Sequence, residues 1–326
     1  MNLNEFQEKY KNLLSENPKK SKHFTQWNHS LIDINKRFIT DNENDLLIKL
    51  KDYMATWSGE DFKVQRKINK ENSEILFKNE HYEKALHASF EVTKNIYKKL
   101  FDENITEFTS LDYINAQEYC MQNSYLMPPS FERKKILDIG SGFGRSLAVP
   151  SKLIKNLVYC SVDIQKEQYY SQYLVYKCFE NLKLYEYFED TKNFSVRDNP
   201  GIYHLPTLKF ELIPDNFFDH VICTFVIGEI PIKLLKIFIK EIKRTLKPRG
   251  SIFIREHLNR FYNSHINLHD LLKQDFFCEF HPYLIDNKEV RGNHMIYRKK
   301  THNYPFYNDK KNFLKDLLFK INAKFR

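Results

Sequence analysis

Long apolar runs, an apolar leader and paired cysteines are all missing from this 326-residue sequence. No apolar run reaches about 18 residues, so we expect no transmembrane helix. The start, Met1 to Glu5, has no apolar signal region, so we expect a protein that is not exported and stays in the cytoplasm. The five cysteines lack C-x-x-C spacing and predict reduced, mostly buried thiols rather than metal ligands or disulfides.

What is present indicates a globular protein with an excess of positive charge. The hydrophobic content of 42% includes enough aromatic residues to build a substantial core. The net charge of +9 suits phosphates, nucleic acid or an anionic membrane. The lysines are spread along the chain, so a generally lysine-rich composition and an anionic substrate are both open interpretations.

Glycine is scarce, yet three of the eight glycines fall at alternate positions: Gly140, Gly142 and Gly144. They follow a short apolar run, residues 135–139, in which Asp138 lies near the end. This pattern predicts a buried strand, a sharp turn that brings bare backbone close to a ligand, and a helix from about Arg145. The G-x-G-x-x-G fingerprint of hydride-carrying cofactors needs glycine at position 145, where arginine stands.

A second acid follows the glycines at the expected distance. Residues 157–163 predict a short strand that ends in Asp163, and about 20 residues is the separation at which an acid binds the ribose of an adenosine cofactor. Asp163 is also placed to cap a helix predicted over 164–179. Both roles are open. Glu189 and Asp190, after a third predicted strand over 182–188, are either adenine contacts or part of a solvated loop.

The remaining segments alternate between strands and helices, which predicts an α/β fold with a doubly wound, mostly parallel sheet. Further strands are predicted over 218–225, 251–256, 279–285 and 294–298, with a helix over 232–246 that ends at the turn 247–250.

The sequence predicts helices in the regions on both sides of these segments. We expect a helical N-terminal cap over 1–130, a cofactor domain over 131–302 and a basic amphipathic helix over 303–326. One face of the cap repeats apolar residues every three or four positions: Tyr82, Leu86, Phe90, Thr93, Tyr97 and Leu100. Trp27 and Trp57 either line a pocket or anchor a core. The terminal helix either contacts an anionic membrane surface or packs on its own domain or a second subunit of a homo-oligomer.

Several motifs together resemble a known family. The glycine loop with Asp138 resembles the first motif of class I, Rossmann-like S-adenosylmethionine (SAM) methyltransferases. The segments Leu205-Pro206, Leu212 to Asp215 and Gly228 to Pro231 resemble bacterial sugar O-methyltransferases. Ser141 and Thr207 depart from that family, which often has glycine and an aromatic residue at these positions.

The resemblance implies SAM as the cofactor and a sugar hydroxyl as the methyl acceptor, in the biosynthesis of surface polysaccharide (capsule or lipopolysaccharide). The acceptor sugar is free, nucleotide-linked or lipid-linked. The cofactor-binding candidates are Asp138, Gly140, Ser141, Gly142, Phe143, Gly144, Arg145, Asp163, Ile164 and Thr224.

Methyl transfer to a hydroxyl requires a base, because a protonated hydroxyl is a poor nucleophile. Three residues follow predicted strand ends: Glu229, Glu256 and His257. His257 suits base chemistry near neutral pH, whereas Glu229 needs burial to raise its pKa. The resemblance places Glu229 beside the donor methyl. Glu229 is also placed to cap a helix, and His257 to be an ordinary loop histidine.

Other functions are less well supported by the sequence. His257, His265, His269 and Asp270 lie close in sequence, but no H-E-x-x-H motif is present, and we expect no metal. The N-P-P-Y motif of base methylation is absent, since Cys223 to Val226 stands in its place, and we expect no nucleic-acid partner. Another small or phosphate-bearing acceptor of N- or O-methylation, and a non-catalytic SAM-fold protein, are the alternatives.

Overall fold

A computed structural model describes residues 1–18, 40, 42–56, 79–124, 134–163, 166–227, 230, 232–255, 268–280 and 294–300. Within these ranges, one eight-stranded sheet is packed against helices. The strands are β1 (Lys135–Ile139), β2 (Val158–Asp163), β3 (Leu184–Glu186), β4 (Gly201–Pro206), β5 (Phe218–Thr224), β6 (Leu246–Arg255), β7 (Phe276–Phe280) and β8 (His294–Lys299).

The helices of the described ranges precede the sheet or connect its strands. The α-helices are α1 (Leu3–Glu16), α2 (Glu43–Thr56), α3 (Asn79–Phe101), α4 (Ser110–Ser124), α5 (Ala148–Leu153), α6 (Lys166–Tyr176), α7 (Ile232–Thr245) and α8 (Leu268–Leu272). Two 3₁₀ helices span Arg145–Leu147 and Thr207–Leu212.

The sheet order β3-β4-β2-β1-β5-β6-β8-β7 confirms the predicted α/β class. Strands β1 to β6 pair in parallel, and β8 is antiparallel to both β6 and β7. Every residue of β2 and β4 is buried, as expected for strands covered on both faces. The chain leaves β1 for β2 on one side and returns to β5 on the other, so the ligand-binding crevice of this topology lies beyond the carboxyl end of β1.

The predicted third strand is present but shorter than predicted. Only Leu184–Glu186 of the predicted 182–188 is a strand, and it forms the edge of the sheet. The strand beside β2 is β4, Gly201–Pro206, which was not predicted. This segment is short, includes a histidine and a terminal proline, and does not alternate between apolar and polar residues. Its extended conformation depends on burial between neighbouring elements.

Other predicted bounds shift by a few residues. The helix predicted over 164–179 is α6, Lys166–Tyr176, which ends in tight turns at residues 177–179, while residues 164–165 lie outside the described ranges. The strand predicted over 251–256 begins earlier, at Leu246, directly after α7. The last two predicted strands correspond to β7 and β8, although residues 281–285 of the first lie outside the described ranges.

The N-terminal region is helical where it is described. Asn2 caps α1 by accepting a hydrogen bond from the Glu5 amide at 2.9 Å. Phe6 of α1 stacks on Tyr169 of α6 with ring centroids 5.6 Å apart, so the first helix shares its core with the sheet-covering helix. The apolar face predicted from Tyr82 to Leu100 lies on α3. Trp27, Trp57 and the terminal helix predicted over 303–326 lie outside the described residues, and the domain bounds stay predictions.

No helix among the described residues is long and apolar enough to cross a membrane.

Candidate active site

The glycine loop joins β1 to the 3₁₀ helix Arg145–Leu147. Its glycines adopt positive φ angles of 67°, 64° and 84°, a region that residues with a Cβ rarely occupy. A Cβ on Gly140 would lie 2.4 Å from Val226 Cγ2, and one on Gly144 would lie 2.5 Å from Tyr176 Cε1. Among the described residues, a Cβ on Gly142 would meet only Gln168 Nε2, at the ordinary contact distance of 3.5 Å. Gly140 and Gly144 are therefore needed for packing, whereas glycine at position 142 is favoured by the positive φ angle alone.

Asp163 lies at the carboxyl end of β2 and is held from α6. Gln172 Nε2 donates to Asp163 Oδ2 at 2.6 Å and also to the Gly142 carbonyl. One buried amide therefore joins the glycine loop to the acid that follows it by about 20 residues. Gln172 and Asp163 are both almost completely buried.

Three further polar side chains gather at this edge of the sheet. They come from β1 (Asp138), from the residue after β4 (Thr207) and from the end of β5 (Thr224). Within the described residues, Asp138 Oδ1, Thr207 Oγ1 and Thr224 Oγ1 are buried and have no hydrogen-bond partner. Buried polar atoms are rarely left unsatisfied in folded proteins. A polar ligand that enters this edge meets three acceptors already in place.

Burial raises the pKa of Asp138 to about 7, which a hydrogen bond from the Tyr159 hydroxyl and the charge of Arg145 only partly offset. An unfolded aspartate titrates near 3.9. Because the folded pKa is the higher one, the folded state binds the proton more tightly. That stabilisation is complete below about pH 4 and is lost as the pH rises through about 7.

We expect Asp138→Asn to remove this pH dependence. Between pH 5 and pH 8, the free energy of unfolding of the wild-type protein should fall relative to that of Asp138→Asn by on the order of 3 kcal/mol. Urea unfolding of both proteins at the two pH values measures the difference. Parallel pH profiles would show that the Asp138 carboxyl is ionised in the folded protein throughout this range.

Arg145, directly after the glycines, bonds to helix α4 of the N-terminal region. Its guanidinium donates to both carboxylate oxygens of Glu118, at 2.7 and 2.9 Å, and to Asn115 Oδ1 at 3.2 Å. Arg255 at the end of β6 donates to the same carboxylate and lies 5.2 Å over the Phe225 ring. Burial by itself would raise the pKa of Glu118, but the two guanidinium groups outweigh it and hold that pKa below its usual range.

The other loop candidates make internal contacts. Ser141 Oγ lies 2.6 Å from Ser161 Oγ and accepts from the Tyr176 hydroxyl at 3.3 Å. Phe143 is buried edge-to-face against Tyr53 of α2, with centroids 5.5 Å apart. The side chains of these two candidates therefore fix the loop to its surroundings.

Four predicted site residues lie outside the described residues: Ile164, Glu229, Glu256 and His257. The same holds for His265 and for the side chain of His269. Their predicted roles stay predictions. Glu189, which is predicted to contact adenine, comes after edge strand β3 and accepts a hydrogen bond from the Tyr173 hydroxyl at 2.7 Å. The strand beside β2 is β4, and the residue that follows β4 is Thr207.

Sequence reasoning missed Glu118, Arg255 and the role of Gln172. Glu118 and Arg255 are far from the glycines in sequence and meet Arg145 only through tertiary packing. Arg145 itself was a partial indication of such a partner, because an arginine at the start of a buried helix needs a buried acidic partner.

These features define a Rossmann-like α/β protein with a glycine loop at the carboxyl edge of its sheet. A family model described as a methyltransferase domain matches residues 112–308. The match spans more than half of the 326 residues, and the chain belongs to this family. The protein is a SAM-dependent methyltransferase, and SAM is its cofactor.

Solved structures with a similar fold include two SAM-dependent methyltransferases. The one from Aquifex aeolicus is 15% identical, with 57% of this chain and 97% of that chain covered and a TM-score of 0.33. The one from Archaeoglobus fulgidus is 14% identical, with coverage of 66% and 88% and a TM-score of 0.35. The arsenic(III) SAM methyltransferase CrArsM from Chlamydomonas reinhardtii is 17% identical, with coverage of 54% and 66% and a TM-score of 0.32. A search of curated proteins found no match.

Proposed function

We propose that this methyltransferase transfers a methyl group to a sugar hydroxyl in the assembly of bacterial surface polysaccharide. The cofactor part of the proposal is carried by one observation: three buried oxygens without a hydrogen-bond partner among the described residues lie near the carboxyl ends of β1, β4 and β5, at the edge where the glycine loop leaves the sheet. The sugar part is supported by the resemblance of the segments 205–206, 212–215 and 228–231 to sugar O-methyltransferases.

The carboxyl edge of the sheet offers acceptors suited to both ends of SAM. Asp163 would accept the ribose hydroxyls, since it ends β2 after the glycine loop. Asp138 Oδ1 would accept from the methionine ammonium group, and Gly142 would let the backbone approach it. Thr207 after β4 and Thr224 at the end of β5 add hydroxyls on either side of the β2–β1 pair. When bound, SAM supplies an electrophilic methyl group on a sulfonium.

The remaining chemistry belongs to residues of the chain. The acceptor oxygen must be aligned with the methyl carbon and must lose its proton as the new bond forms. Glu229 follows β5, and Glu256 and His257 follow β6, so all three come after strands whose carboxyl ends meet at this edge. We keep Glu229 and His257 as the two main candidates for the base, with Glu256 as the third.

A phosphate-bearing acceptor is the second candidate, and two guanidinium groups beside α4 favour it. Arg145 and Arg255 both pair with Glu118, so two cations lie close together near the carboxyl end of β6. An acceptor that carries phosphate would complement these cations.

An acceptor screen tests the proposal. Radiolabelled methyl transfer from SAM should appear with nucleotide-linked sugars or glycan fragments, and replacing the base should lower kcat by about a hundredfold or more with little change in the binding of SAM. Glu229→Gln and His257→Ala are the variants to compare. Label transferred only to phosphorylated non-sugars would support the second candidate. Near-normal turnover in both variants would show that neither residue is the base.

A further inference from the structure

A buried chain of hydrogen bonds connects edge strand β3 to Asp163 through His204 and Gln172. His204 Nδ1 lies 2.6 Å from Glu186 Oε2, and His204 Nε2 lies 2.9 Å from Gln172 Oε1. Gln172 Nε2 then donates to Asp163 Oδ2 and to the Gly142 carbonyl. His204 and Gln172 are completely buried, so solvent does not complete these bonds.

The Gly142 carbonyl determines which way the Gln172 amide faces. A backbone carbonyl only accepts hydrogen bonds, so the amide nitrogen must point to it and to Asp163 beside it. The amide oxygen must then face His204, and it also accepts from Ser161 Oγ at 3.5 Å. With the amide reversed, its oxygen would face the Gly142 carbonyl and the Asp163 carboxylate, which would repel it.

The orientation of Gln172 in turn assigns a proton on His204. Because an amide oxygen cannot donate, His204 Nε2 must carry the hydrogen between them. The other ring nitrogen faces Glu186, whose Oε1 accepts from the Tyr169 hydroxyl at 2.8 Å and from the Phe188 amide at 3.1 Å. Tyr169 also stacks on the imidazole, with centroids 3.7 Å apart, and this fixes the plane of the ring.

We propose that His204 is a positioning residue for the cofactor. Its Nε2–H fixes the Gln172 amide, and the amide fixes the Asp163 carboxylate. Glu186 on one side of the ring and Tyr169 stacked on its face hold the imidazole so that Nε2 points at Gln172. This inference rests on the proposed role of Asp163 as the acceptor of the ribose hydroxyls.

Two variants that differ only at His204 test this role. In Glu186→Gln, the new amide nitrogen can donate to Nδ1, so His204 keeps its Nε2–H. In the double variant Glu186→Gln/His204→Phe, the ring still stacks on Tyr169 but the donor is gone. Neither variant leaves a buried, unpaired carboxylate at position 186. The probes are S-adenosylhomocysteine and its 2′,3′-dideoxyribose analogue, titrated into each protein.

The wild-type protein and Glu186→Gln should prefer the ribose ligand by about tenfold or more, as expected for hydrogen bonds to a charged acceptor. In the double variant the preference should shrink to about threefold or less, with the dideoxy analogue bound nearly as in wild type. A preference that survives in the double variant would overturn the inference. Equal loss of affinity for both ligands would assign His204 a merely structural role and also overturn it.

A spectroscopic measurement on the wild-type protein needs no folded variant. The ¹⁵N shifts of the His204 ring, assigned through its own backbone, should show Nε2 protonated. A ring protonated at Nδ1 alone would contradict the inference whatever the ligands do. A wild-type protein that shows no ribose preference, yet has Nε2 protonated, would instead contradict the role of Asp163.

Discussion

Glu118→Gln should lower the free energy of unfolding by about 3–5 kcal/mol, the effect expected when one partner of a buried charge cluster is neutralised. The substitution keeps the shape of the side chain but leaves Arg145 and Arg255 without their shared carboxylate. Arg145 is buried, so water cannot replace the lost partner. Urea unfolding followed by circular dichroism measures the change.

Glu103→Gln is the matched control. Glu103 also pairs with a cation, Lys51, but both side chains are about two-fifths exposed. An exposed pair contributes about 0–1 kcal/mol, so this variant should be nearly as stable as wild type. Similar stability losses in the two variants would show that the Glu118 cluster is no more important than a surface ion pair, and that α4 does not hold the glycine loop through it.

Gly142→Val should weaken the binding of S-adenosylhomocysteine by about a hundredfold or more. Gly142 is the loop glycine whose Cβ would make no close contact among the described residues, with Gln168 Nε2 at 3.5 Å, so we expect a valine side chain there to occupy the space through which a ligand reaches the backbone. The positive φ of 64° adds backbone strain of roughly 1–2 kcal/mol for a residue with a Cβ. Isothermal titration measures the affinity, and thermal unfolding measures the strain.

Asn156→Val separates the two effects. Asn156 has a φ of 55° in the exposed turn that precedes β2, at the opposite edge of the sheet from the glycine loop. Its replacement should produce a comparable strain and leave the affinity unchanged. If Asn156→Val weakens binding as much as Gly142→Val, the loss reflects global destabilisation rather than a ligand at Gly142.

The parts of the fold that could be predicted are those with local patterns. The glycine spacing, Asp138 and Asp163 mark a strand, a turn and a strand end by their own residue types, and each element lies where it was predicted. Strand β4 could not be found this way. Its extended conformation depends on pairing with both β2 and β3, and its residues show no alternation because both faces are buried.

The same distinction between local sequence patterns and tertiary contacts applies to the candidate site. The glycines and the two aspartates follow a motif, so their places could be predicted before any contact was known. Glu118 and His204 act through partners brought near by folding, and no spacing in the sequence connects them to the loop. The catalytic base stays a prediction, because its candidates lie outside the described residues.

The most direct test of the central claim is isothermal titration of the wild-type protein with S-adenosylhomocysteine, the stable product of methyl transfer. The buried acceptors at the carboxyl edge of the sheet predict one site with a micromolar dissociation constant. An absence of binding at millimolar ligand would contradict the account, and the glycine loop would then be a feature of the fold without a cofactor.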